Sequence, residues 1–147
     1  MALTFNKLDG FVENLAEGVF DFENDTFIFA LSNTAPGSET TPPTGATSTC
    51  VLANVTQVSY TNASSRTLTS VTSSQTSGTH TVDAANITIS ASGGAVGPFR
   101  YVYLYDDTPT TPADPLIGYF DYGSALTLAD GESLTITFNA SGILTIT

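Results

Sequence analysis

The side chains in this chain that could do chemistry are few and scattered. His80 is its only histidine and Cys50 its only cysteine. Nucleophilic catalysis needs a hydroxyl or thiol beside an imidazole that a third group orients. His80 sits in the run SGTHT (77–81) with nothing to mark it as a base, and no serine lies in a nucleophile-elbow motif. His80 therefore reads as a loop or strand-surface residue, and Cys50, next to Val51, as a small buried hydrophobe. Carboxylates are more numerous. Asp106 and Asp107 follow a tyrosine-rich run, and Asp121 lies between Phe120 and Tyr122. A glycosidase needs two carboxyl groups facing each other across a sugar. Adjacent residues at a strand end point apart, so Asp106 and Asp107 read as turn initiation before Thr108 and Pro109. A calcium loop would show spaced Asp, Asn and Gly ligands, and that spacing is missing. The expectation is a chain with no catalytic residue, no metal and no cofactor, and so not an enzyme.

Tyr101, Tyr103 and Tyr105 alternate along one run and would form a flat row. Such a row can stack on sugar rings, but packing into a core or a subunit contact uses the same rings for apolar area and a hydroxyl handle. Packing is the favoured reading.

Charge narrows the partners. The 147 residues carry 14 acidic side chains against three basic ones, Lys7, Arg66 and Arg100, for a net charge of −11. That balance repels phosphate backbones and anionic membranes, so neither nucleic acid nor a membrane is expected as a partner. A lone cysteine cannot form an internal disulfide. The N-terminal stretch mixes charges with apolar residues and lacks a leader-like apolar core, so synthesis in a cytoplasm is expected.

The elements that would position these groups are mainly strands. Thr and Ser make up 40 of the 147 residues, and Thr suits a pleated surface whereas Ser suits turns. The spacing of Phe5, Leu8, Val12 and Leu15 predicts one short helix over about 5–17, with Asn6 as N-cap, Gly18 as stop and Gly10 as a weak point. The run FIFAL (27–31) predicts a buried strand. Residues 32–49 hold Pro36, Pro42 and Pro43 with almost nothing apolar, and predict a long exposed loop or arm. Strands are expected within 51–60, 66–71 and 82–90, with 72–79 as a polar loop. The alternation at 99–105, apolar or amphipathic on both parities, predicts a central strand. A further strand is expected at 116–122. Asp130-Gly131 between two alternating runs predicts a hairpin, and 143–146 a terminal strand. About eight short strands without alternating helices predict an all-β, antiparallel sandwich or jelly-roll-like fold in one domain spanning 1–147.

The runs YLYDDT (103–108), PLIGYFDY (115–122), DGESLTI (130–136) and ASGIL (140–144) resemble small structural proteins of tailed bacteriophages, as does TFIFAL (26–31) after the N-terminal helix. Within that group the chain is most similar to capsid cement or decoration proteins. The resemblance implies a jelly-roll-like sandwich on the exterior of an icosahedral shell, assembled in the host cytoplasm. It would bind the major capsid protein, clamp neighbouring subunits and sit there as a dimer or trimer with copies of itself. It carries over no catalytic residue. The alternative is a tail, neck or fibre component, which could bind carbohydrate. The capsid-contacting surface is expected in the arm, with Pro36, Pro42 and Pro43, and in the N-terminal segment, with Phe5 and Lys7. Arg66 and Arg100 would join Lys7 in a patch less acidic than the rest. Deleting 32–49 is expected to weaken binding and leave the fold intact.

Overall fold

The computed structural model describes residues 4–147; the first three residues of the stretch inspected for a leader lie outside it. Nine strands and one helix follow in the order β1 (Phe5–Lys7), α1 (Asp9–Ala16), β2 (Phe27–Ser32), β3 (Thr72–Thr76), β4 (Thr79–Asp83), β5 (Ile87–Ser90), β6 (Val96–Asp106), β7 (Leu116–Leu128), β8 (Ser133–Ile136) and β9 (Leu144–Ile146). The chain is all-β, with antiparallel pairing throughout. A principal sheet runs β1-β7-β6-β2, and the opposing layer is split into β3-β4-β9 and β5-β8.

β6 is central, as its two-faced alternation predicts, bonded to β2 on one side and β7 on the other. Register fixes the faces. Leu31 lies opposite Val102 and Phe29 opposite Leu104, so these four point into the space between the layers. There they meet Val82 of β4 and Ile87 and Ile89 of β5. The next residues along, Tyr101, Tyr103 and Tyr105, face the other way. Phe99 shares their parity in the sequence yet joins the interlayer core. An irregularity in the β6–β7 register between Phe99 and Tyr101 returns it to that side.

Several local expectations change. Phe5 belongs to a strand opposite Phe120 and not to the helix. The helix begins at Asp9 after Leu8, without a side-chain cap from Asn6. It ends at Ala16, two residues before Gly18, as its pattern predicts. Gly10 is required there, because a Cβ would lie 2.5 Å from Cys50 Cβ. The polar stretch 72–79 contains β3 and the start of β4, joined through Ser77 (φ 51°) and Gly78 (φ 85°), the two positive φ values of a tight hairpin turn. The Asp130-Gly131 turn joins β7 to β8 without pairing them. β7 pairs with β6 and β8 with β5, while the turn bonds to Ala91. A turn motif reverses the chain locally, but burial of Leu134 and Ile136 beside Ile87 and Ile89 chooses the partner strand. Segments 51–60 and 66–71 form no strands of their own. Thr67 bridges to Ile28 and Gln57 to Ser32, which covers the open edge of β2.

Candidate functional site

Residues 32–55 were expected to hang free as far as 49, and they lie instead on the tyrosine face of the principal sheet. Pro36, Glu39, Pro43 and Cys50 are buried, while Pro42 is exposed. The Glu39 carboxylate fastens the segment by accepting hydrogen bonds from Thr56 N (2.8 Å) and Thr56 Oγ1 (2.7 Å). Cys50 and Val55 pack against Tyr101, Tyr103 and Tyr105. Cys50 is a buried hydrophobe as expected, and burial pushes its thiol up to about 11. The rings pack, so no tyrosine row is presented to a sugar. Tyr103 is 0% exposed and its hydroxyl has no partner. Burial first, and Glu39 second, raise its ionisation far above the ordinary phenol value. The segment is fastened to the sheet at Pro36, Glu39 and Pro43 while much of its length stays exposed, which corrects the reading of 32–49 as an arm that hangs free.

The three cations do not form one patch. Arg66 donates to the Phe29 carbonyl and lies 3.5 Å over the Tyr60 ring. Arg100 is bound by both carboxylate oxygens of Asp121, at 2.7 and 2.8 Å, which holds Asp121 below its ordinary range. Lys7 is exposed on β1, and Arg66 lies beyond β2 at the opposite edge of the sheet. Three strand spacings across the sheet and one more to the segment bridged to β2 separate the two residues by on the order of 15–20 Å. Two of the three cations are thus engaged within the molecule, because a sparse charge set in an acidic chain finds local partners first.

His80 is half-buried on β4, with Nε2 2.9 Å from Ser73 Oγ on β3. The bond ties the two strands together. Asp106 Oδ1 accepts from Thr108 N (3.0 Å), which is the turn chemistry expected of it.

An extended binding feature lies around β9. Among the described residues β8 is hydrogen-bonded only to β5 and β9 only to β4, so the two successive strands splay apart beyond the turn in which Asn139 bridges Gly142. Between them opens a groove of about 1000 Å³. Its floor is the principal sheet, with Phe5, Phe99 and Phe120; its walls are Leu134, Ile136 and Phe138 on one side and Ile143 and Leu144 on the other. Phe5 is seated by contact with Phe120, ring centres 5.0 Å apart, over Gly118, where a Cβ would come within 2.5 Å of the ring. Among the described residues no Asp, Glu, Lys, Arg or His lines the groove. A smaller cleft of about 420 Å³ runs along the other side of β9 against α1, with Lys7 and Val12 on its border. Among the described residues two large hydrophobics are exposed, Val12 and Tyr122, and each borders one of these clefts.

The arrangement can bind apolar side chains and pair with an extended backbone. Of the seven residues expected at a contact surface, Phe5 and Lys7 lie here; Pro36, Pro42, Pro43, Arg66 and Arg100 do not. Reading of the sequence missed Leu134, Ile136 and Phe138 as site residues because their alternation is that of any half-buried strand. Their signal lies in the pairing, which leaves one edge of β8 open. Comparison with protein families, with curated proteins and with solved structures finds no match for this chain.

Proposed function

We propose that this chain is a structural protein of a virus particle, a cement or decoration protein on the exterior of an icosahedral bacteriophage capsid. It binds the major capsid protein and stabilises contacts between neighbouring subunits. The observation that carries the reading is the apolar groove, uncharged among the described residues and bordered by two strand edges that these residues pair on one side only. An extended segment of the capsid protein entering there would complete both edges with backbone hydrogen bonds and bury its alternate side chains on the phenylalanine floor. Copies of the chain carry −11 each, so they repel one another in solution and gather only where a repeating surface presents many sites. The resemblance to phage structural proteins in 103–144 favours the same reading, in which the protein is assembled in the host cytoplasm and ends on the virion.

The test is to mix the purified protein with undecorated capsids and image the occupied sites. Wild type should fill symmetric positions, whereas Tyr122→Asp, which puts a charge at the exposed border of the groove, should lower occupancy at least tenfold with an unchanged far-ultraviolet spectrum. Equal coating by this variant removes the groove from the reading. Co-sedimentation with tails and not with heads replaces the capsid assignment with a tail or neck one.

A further inference from the structure

A second feature of the molecule is independent of the groove and of any partner. Asp106, the last residue of β6, stands opposite Phe27 on the interlayer side of the sheet and is 0% exposed. Its Oδ1 accepts from Thr108 N, and its Oδ2 has no donor. Asp25 is its neighbour across the strand ends, where Asp107 N donates to the Thr26 carbonyl at 2.8 Å and Thr26 N donates to Thr108 Oγ1 at 2.8 Å, and its carboxyl is among the groups that raise the Asp106 pKa. Asp25 ends the 19–25 loop that follows α1, and its Oδ2 accepts from Asp21 N at 2.8 Å, closing the loop on itself. That loop carries Phe20 and Phe22 into the core, with Phe22 stacked on Phe27 at 5.4 Å.

Two carboxylates in contact at a buried site repel each other, whereas one acid and one carboxylate make a strong hydrogen bond. We infer that Asp25 and Asp106 share one proton, donated from Asp106 Oδ2 to Asp25, and that this pair latches the 19–25 loop to the ends of β2 and β6. When the proton leaves to solvent past the half-exposed Asp25, the loop loosens and Phe20 and Phe22 lose their clamp.

Nothing nearby substitutes for the proton. On the loop, Asp21 is occupied by the amides of Glu23 and Asn24 and by the Asn24 side chain, and Glu23 is acidic and exposed. From the β6–β7 connection come Asp107 and Asp114, both acidic residues, and Thr108, whose hydroxyl accepts from Thr26 N. Arg66, beside β2, is held by Phe29 and Tyr60. His80, beside Phe22, is bonded to Ser73. Among the described residues no third His, Cys, Asp or Glu completes a metal-binding group with the pair. Burial is the main cause that pushes the Asp106 carboxyl up to about 7, and Asp25 adds to it against the Thr108 amide.

The folded pKa lies above the ordinary 3.8, so the folded state holds the extra proton. Its stabilisation is complete below about pH 4 and is lost as pH rises through about 7. Carbon-detected NMR should show the Asp106 carboxyl titrating near pH 7, and Asp25→Asn should lower that midpoint by about one pH unit or more. The melting temperature of wild type minus that of Asp106→Asn should fall between pH 4 and pH 7 and level off above pH 8. The contrast within Asp25→Asn, which keeps Asp106, guards against loss of folding in one variant. An Asp106 midpoint near 4, or a melting difference independent of pH, overturns the latch. A rise in wild-type melting temperature with millimolar calcium at pH 8, absent from Asp106→Asn, also overturns it, by assigning the pair to a cation.

Discussion

The two faces of the principal sheet are built on opposite plans. One is phenylalanine-rich, meets a second layer of strands and is left partly open where β8 and β9 splay apart. The other is tyrosine-rich, meets no strands and is sealed by the 32–55 segment. Regular strands cover a face only where their edges can pair, and the opposing layer here is two small sheets with unbridged edges. An irregular segment has no such restriction. Its prolines, its short helical turns and the Glu39 clasp let it follow the surface, so the face without secondary structure above it is the more completely covered.

The comparison predicts a sharp asymmetry in mutational cost. Phe29→Ala removes a fully buried ring from the interlayer core and should cost ~3–5 kcal/mol in chemical denaturation. A cost under ~1 kcal/mol would mean that the splayed layers close over the hole. Glu39→Ala leaves the Thr56 amide and hydroxyl without their acceptor and should cost ~1–3 kcal/mol. Amide exchange should then quicken across 32–56 and stay unchanged in β5 and β8; uniform quickening would show that the two faces do not open separately. Tyr103→Phe is the smallest change and of opposite sign. It deletes a buried hydroxyl that has no partner, so stability should stay level or rise by ~1 kcal/mol. A loss of more than ~1 kcal/mol would reveal a hydrogen bond under the segment.

The latch adds a second contrast, between carboxylates that find a cation and one that finds another acid. Asp121 meets Arg100 and is held below its ordinary range, so its contribution is present above that range and fades as pH falls. Asp106 meets Asp25 and behaves in the reverse sense. Acid and alkali therefore loosen different places, the β6–β7 pairing near Arg100 in the first case and the 19–25 loop in the second.

Much of the architecture is legible in the amino-acid sequence. Alternation on both parities at 99–105 identifies β6 as central, because only a strand covered on both sides needs two apolar faces. The Thr-rich composition and the lack of helical periodicity after Ala16 set the all-β class. A single cysteine beside a valine announces a buried thiol, and a net charge of −11 disfavours polyanionic partners whatever the fold. The hairpin at 77–78 was readable as well, since Ser-Gly between two Thr-rich runs is a turn signal, but the polarity around it imitates a loop.

What only the tertiary structure decided are relations between distant residues. Composition made 32–49 look like an arm, yet it is packed because the tyrosine face needed cover and a single carboxylate could fasten it. Asp-Gly at 130–131 specified a reversal, and burial of Leu134 and Ile136 decided which strand β8 would join. The groove exists because β8 and β9 each spend their pairing elsewhere, and Asp25 reaches Asp106 across a separation of 81 residues. Local sequence sets backbone preference and facing within each element. Which edges remain open, and which charges meet, follows from long-range pairing that no short window of residues contains.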